Sequence, residues 1–139
     1  MTRSPIDVAA LAGWVGDPGR GGAVTFVGTV RASEADGSVA QIEYSGYEQM
    51  IEEEFSRILG EAESKWPGGS FVGQHRLGPV PLGEASIAIA VATPHRAEAF
   101  DACRYIIEQV KARLPVWKKE RFADGSESWR DNGSVDRSD

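Results

Sequence analysis

The sequence has 139 residues, 41% of them hydrophobic and 26% charged, with a net charge of -6 and one cysteine. These proportions suit one globular domain of ordinary size and exclude a disordered chain. The acidic balance argues against a nucleic-acid groove, no apolar run approaches the roughly 20 residues of a membrane span, and a lone Cys103 excludes an internal disulfide or a cysteine-based zinc cluster.

The N-terminus, MTRSPIDVAALAGWVG, is short, amphipathic and carries Asp7, so no secretory leader is expected. Ser4-Pro5 reads as a helix start, with Ser4 capping and Pro5 at the first helical position. Ile6, Ala9, Leu11, Ala12 and Val15 give its stripe, and Gly16-Asp17-Pro18-Gly19 stops it. Gly22 to Arg31 is rich in β-branched residues and reads as a strand, with Gly28 marking a bulge or a close backbone approach. After a polar loop, Ala40, Ile42 and Tyr44 alternate with Gln41, Glu43 and Ser45 as a half-buried strand.

A long helix follows, with Ile51, Phe55, Ile58, Leu59, Ala62 and Trp66 on one face, ended by Pro67-Gly68-Gly69. Phe71 to Leu77 predicts a further strand, and Gly78 to Gly83 (GPVPLG) a rigid loop. Glu84 to Thr93 is apolar on both faces, which places it centrally in a sheet. Thr93-Pro94 repeats the cap-then-proline signature, and Phe100, Cys103, Ile107, Val110 and Leu114 predict a second long helix, stopped by Pro115. Val116 to Phe122, the Asp124-Gly125 turn and Glu127 to Trp129 read as a closing hairpin. The four tryptophans, at helix ends and in the hairpin, fit packing roles. The order α-β-β-α-β-β-α-β-β predicts a single α+β domain over residues 1–132, mostly antiparallel sheet with two long helices, and a disordered tail over 133–139.

Four places could carry chemistry. Thr93-Pro94-His95-Arg96 opens a helix, where unpaired N–H groups and a partial positive charge attract anions. His95 and Arg96 sharpen that into a phosphate or carboxylate site, unless Arg96 pairs with an acid such as Glu98. Lys111 and Lys118 flank the apolar turn Leu114-Pro115-Val116-Trp117. Strand alternation puts Lys118 on the side of Val116 and Phe122, and Lys119 on the side of Trp117. A lysine against apolar surface can exchange protons near neutral pH, whereas a solvated Lys-Lys edge would only discourage aggregation. Arg31 at a strand end is either a further anion contact or a surface arginine, and His75-Arg76 is equally open. Cys103 sits on the helical stripe and reads as core. Residue types and spacing alone stop at an anion site and two lysines.

Five runs then carry a family resemblance: GAVTFVGTVR (Gly22 to Arg31), EYSGYEQM (Glu43 to Met50), HRLGPVPLGE (His75 to Glu84), PHRAEAF (Pro94 to Phe100) and KARLPVWKKE (Lys111 to Glu120). In order and spacing they resemble the molybdopterin synthase large subunit, over about residues 5–130. Ser45-Gly46 departs from the family pattern, which often has a glutamate there. The resemblance implies an α/β-hammerhead-like fold and a cytoplasmic homodimer with a small ubiquitin-like subunit at each end. That small subunit carries sulfur as a C-terminal Gly-Gly thiocarboxylate, and its tail enters the large subunit. The large subunit binds cyclic pyranopterin monophosphate and builds the dithiolene of molybdopterin, with no metal or resident cofactor. By position, Lys111 and Lys118 match the catalytic lysines. Arg31, His95 and Arg96 match substrate contacts, with Thr29, Val30, Lys119 and Glu120 lining the same pocket, and His95 and Arg96 serving the neighbouring chain. An external sulfur donor agrees with the buried reading of Cys103. Two other functions fit the residues less fully: a non-catalytic module that binds anions or acidic tails, and a transferase using His95 as base. The second lacks a visible nucleophile.

Overall fold

In the computed structural model, which describes residues 1–32 and 39–131, the strands form two antiparallel sheets. The element order is α1 (Val8–Val15), β1 (Gly22–Thr29), β2 (Val39–Ser45), α2 (Glu48–Lys65), β3 (Ser70–His75), β4 (Gly78–Pro81), β5 (Ala85–Thr93), α3 (Arg96–Arg113), β6 (Trp117–Phe122) and β7 (Glu127–Asp131). The first sheet runs β1-β5-β3 and the second β4-β2-β6-β7. The α+β class and antiparallel pairing agree with the sequence reading. The tail expected over 133–139 lies outside the described residues.

β5 is central and buried on both faces, as its unbroken apolar run predicts. Its alternation sorts the helices. Ala90 and Ala92 face α1 through Val15 and Leu11, and their small side chains let that short helix lie close. Ile87, Ile89 and Val91 face the main core, which also holds Ala99, Ala102, Cys103, Ile106 and Val110 of α3. α2 closes this core with Ile51, Phe55, Ile58 and Ala62. Between the long helices, Arg113 donates to both Glu61 oxygens (2.7 and 2.9 Å) and to Glu54 (3.3 Å), and Tyr105 donates to Glu61.

Gly28 marks a bulge, as expected, and the close approach there is by a side chain rather than by backbone. The register with β5 shifts between Gly28 and Thr29, and a Cβ on Gly28 would lie 2.8 Å from Ile87 Cγ2.

Several elements differ from the sequence reading. α1 starts at Val8 rather than at Pro5, capped by Asp7, whose carboxylate accepts from Ala10 N at 3.1 Å. The preceding chain is instead drawn away at Thr2, which bridges Arg76 in parallel. β1 ends at Thr29, short of Arg31. A register shift between Val39 and Gln41 turns Ala40 outward, off the face of Ile42 and Tyr44. The GPVPLG segment is not simply a loop: Gly78–Pro81 forms β4 and pairs with β2, with Pro79 and Pro81 tolerated because β4 is an edge. α3 is entered through His95, while Thr93 Oγ donates to the His95 carbonyl at 2.6 Å instead of capping the helix. Its buried stripe is centred on Ala99, Ala102, Ile106 and Val110, which leaves Phe100 exposed. Trp14, Trp117 and Trp129 are exposed as well, so packing does not account for them.

Candidate active site

The two sheets meet where β3 turns into β4 and where the chain leaves α3 for β6, and the lysines gather at this seam. β6 is flanked by β2 and β7, so it is not a solvated edge. Its alternation is the one expected. Lys118 is 2% exposed and shares its face with buried Val116 and Glu120. Lys119 points to the other face, with Nζ 5.2 Å from the Trp129 ring and 3.4 Å from Glu127. Direct cross-strand partners of Lys118 and Glu120 are Tyr44 and Ile42.

Lys111 lies half-buried in the last turn of α3, where a cation suits the helix dipole. Leu114 ends the helix, and the Val116 N–H donates to the Leu114 carbonyl at 2.8 Å, a tight turn that carries the chain into β6. Gly46, where the chain departs from the family pattern, belongs to this turn's packing. A Cβ there would come within 2.7 Å of the Pro115 carbonyl, so only glycine lets the end of β2 approach so closely.

Sequence reasoning left two neighbours of the lysines unassigned. Tyr44 is 3% exposed, and its ring meets His75 edge-on at 5.0 Å between centroids. Burial pushes the His75 imidazole down to about 4, against a hydrogen bond to the Arg76 backbone and helped by the charges of Lys111 and Lys118. The alternation of β2 points to Tyr44. His75 carries no such signal, because its role depends on a sheet-to-sheet crossing.

The end of β1 approaches the same seam. Val30 is buried and held from both sides: its N–H donates to the Glu84 carbonyl at 3.0 Å and its carbonyl accepts from Gly83 N at 2.7 Å. Thr29 and Arg31 on either side are exposed.

His95 and Arg96 lie elsewhere. Both are exposed, and among the described residues Arg96 forms no ion pair with Glu98. They open α3 at its far end, beside Gly21, whose N–H donates to the Pro94 carbonyl at 3.2 Å. Fifteen residues of helix separate Arg96 from Lys111, about 22 Å along the axis. Within one chain, Lys111 and Lys118 both lie close enough to His75 to act on its charge, and Glu120 shares the buried face of Lys118, whereas His95 and Arg96 are remote.

Cys103 is 5% exposed in the core, and burial raises its thiol pKa. Among the described residues no group of His, Cys, Asp and Glu could hold a metal ion. No helix is long and apolar enough to cross a membrane.

A family model described as MoaE protein matches residues 1–113. The molybdopterin synthase catalytic subunit of Bacillus subtilis is 39% identical over 93% of this chain and 82% of its own length. That of Drosophila willistoni is 41% identical over 95% of the chain, which spans only 36% of the fly protein. The crystal structure of molybdopterin synthase from Staphylococcus aureus superposes with a TM-score of 0.88 at 33% identity, covering 93% of each chain. The chain belongs to the MoaE protein family.

Proposed function

We propose that the chain is the catalytic subunit of a molybdopterin synthase, active in the cytoplasm. It takes sulfur from the C-terminal thiocarboxylate of a small ubiquitin-like subunit and adds it to cyclic pyranopterin monophosphate, in two rounds, to make the dithiolene. The observation that carries this reading is a buried Lys118 placed beside the chain turn from Lys111. Burying an ammonium is costly, and a protein retains it where the charge is used.

In this reading Lys111 neutralises the thiocarboxylate of the incoming tail. The thiocarboxylate sulfur bonds to a side-chain carbon of the pterin as a carbon–oxygen bond at that carbon breaks, its oxygen leaving as water or staying on the opened phosphate. Water then cleaves the acyl–sulfur bond, so the tail leaves as a carboxylate and the sulfur stays on the pterin as a thiolate. Lys118 moves the proton that the pterin intermediate gains or loses, in a site where burial strengthens each charge interaction. Arg31 contacts the anionic substrate, with Thr29, Val30, Glu120 and the backbone of Lys119 along the pocket wall. Sulfur comes from outside the chain, which agrees with a core position for Cys103.

The separation of about 22 Å along α3 supports a homodimer with shared sites, because His95 and Arg96 can serve the lysines only of another copy. A helix N-terminus carrying an arginine that makes no ion pair among the described residues suits the cyclic phosphate. The test is incubation with a thiocarboxylated small subunit and the cyclic precursor, followed by mass analysis. A dithiolene product is expected. Tail binding without product would instead assign a non-catalytic binding module.

A further inference from the structure

His75 and Arg76 are 3% and 8% exposed, yet neither takes part in the proposed sulfur transfer. They sit where the chain passes from β3 in one sheet to β4 in the other. Their backbone is fixed on both sides. The His75 carbonyl accepts from Thr2 N at 3.1 Å, Arg76 N donates to the Ser86 carbonyl at 2.8 Å, and Leu77 N donates to the Thr2 carbonyl at 2.8 Å.

The two side chains reach opposite halves of the proposed site. His75 Nδ1 lies 2.9 Å from the Arg76 carbonyl, which requires a proton on Nδ1 and leaves Nε2 with its lone pair. The ring so oriented presses edge-on against Tyr44, the direct cross-strand partner of Lys118. A leucine would fill this space without burying a polar ring. The uncharged ring supports Tyr44 edge-on without placing a positive charge beside the lysines.

Arg76 turns the other way. Its Nη1 donates to Glu84 Oε1 at 2.8 Å, and the backbone of Gly83 and Glu84 holds Val30 at both its N–H and its carbonyl. Arg31 is the next residue. Arg76 Nε is buried with no hydrogen-bond partner among the described residues, a penalty that packing alone does not explain.

We propose that His75 and Arg76 are the positioning residues of the site, His75 setting the lysine side through Tyr44 and Arg76 setting the anion side through Glu84 and Val30. The proposal rests on the catalytic reading above for its kinetic consequences and on geometry alone for the rest.

The experiment measures kcat and KM for the cyclic precursor at saturating thiocarboxylated small subunit, with the melting temperature of each variant. His75→Asn retains a donor for the Arg76 carbonyl but is too short to reach Tyr44. It is expected to lower kcat about tenfold with KM within about twofold, the scale on which misplacing a catalytic group acts. His75→Phe restores the ring and is expected to recover most of that loss. Arg76→Met should raise KM about tenfold with kcat nearly unchanged, and Arg76→Lys, able to reach Glu84 with one donor, should restore it. The same kcat and KM pattern in both sets, tracking the melting temperature and not restored by His75→Phe or Arg76→Lys, would show a merely structural role and overturn the proposal.

A readout independent of turnover is acetylation of Lys118 relative to Lys119, followed by peptide mass. His75→Asn should increase Lys118 labelling, and Arg76→Met should not. If wild type makes no dithiolene but labelling changes this way, the catalytic reading fails and the positioning by His75 stands. Unchanged Lys118 labelling in a folded His75→Asn variant removes the His75 half of the proposal whatever the turnover.

Discussion

The two ends of α3 present cations in opposite ways. At its start, His95 and Arg96 project into solvent, and Arg96 makes no ion pair among the described residues. At its end, Lys111 is half-buried and Lys118, just beyond, is 2% exposed on an internal strand. An exposed arginine at a helix N-terminus can be lent to another molecule. A lysine enclosed by its own sheets can act only where its own chain places it. In the proposed function this difference corresponds to chemistry within a chain at the lysine end and contact between chains at the arginine end.

The largest expected effect breaks the buried end. Lys118→Met and Lys111→Met each keep most of the side-chain stem, and each should lower dithiolene formation by at least ~10²-fold, the scale for losing a proton-transfer or charge-stabilising group. Melting temperatures should change little. Lys119→Ala, on the opposite face beside Trp129, should be mild. A dead Lys119 variant beside an active Lys118 variant would place the chemistry on the wrong face of β6.

This contrast also explains what the sequence disclosed and what it hid. The period of two in Val116-Trp117-Lys118-Lys119 already separated the lysines, because alternation is local and β6 has no bulge. Ala40 was misplaced because one irregularity between Val39 and Gln41 resets the alternation. β4 was concealed by Pro79 and Pro81, which argue against a strand unless it is known to be an edge, and edges are a property of the whole sheet. Phe100 looked apolar enough for the stripe, but α3 turns alanines toward β5, where the backbones pack closely. The coupling of His75 to Tyr44 and of Arg76 to Glu84 joins separate strands and loops, and no local pattern announces it.

Exchanging chains between dimers tests whether the arginine end serves a neighbour. Arg96→Ala and Lys118→Met should each be nearly inactive alone. After dimer exchange, half the dimers are mixed, and one of their two sites receives Lys118 from one chain and Arg96 from the other. Activity should return to about a quarter of wild type. If it stays at baseline after exchange is confirmed by mass, the arginine end does not serve a neighbouring chain.

A third test concerns the uncharged ring of His75. The folded-state pKa of His75 is held down to about 4, below its ordinary 6.5, chiefly by burial. Between those values the unfolded chain binds a proton that the folded chain refuses, so this contribution to stability is present above about pH 6.5 and is lost as pH falls through about 4. Denaturant midpoints of wild type should fall over that window, and those of His75→Phe should fall less. The Glu61 carboxylate, held to about 2 by its hydrogen bonds from Arg113, acts later: its contribution is present above the ordinary carboxylate range and disappears as pH falls toward 2. Equal slopes for wild type and His75→Phe between pH 6.5 and 4.5 would mean that His75 is not buried uncharged.

The smallest effect is expected at Cys103, midway along α3 and between the two ends compared. It is buried among Ala99, Ala102, Ile106 and the first sheet, and burial raises its thiol pKa, so little thiolate is available to attack or carry sulfur. Cys103→Ala removes one sulfur atom from the core and should cost about 1 kcal/mol of stability, the usual size for a small buried truncation. Turnover with the thiocarboxylated small subunit should match wild type. Cys103→Ser should be somewhat less stable than Cys103→Ala, because a hydroxyl needs a stronger partner than the thiol had. The measurement pairs thermal melting with product formation in the same preparations. A Cys103→Ala protein that melts near wild type but makes no dithiolene would require a sulfur carrier within the chain. The site would then have to reach from the seam into the middle of α3, and the assignment of chemistry to the lysine end alone would fail.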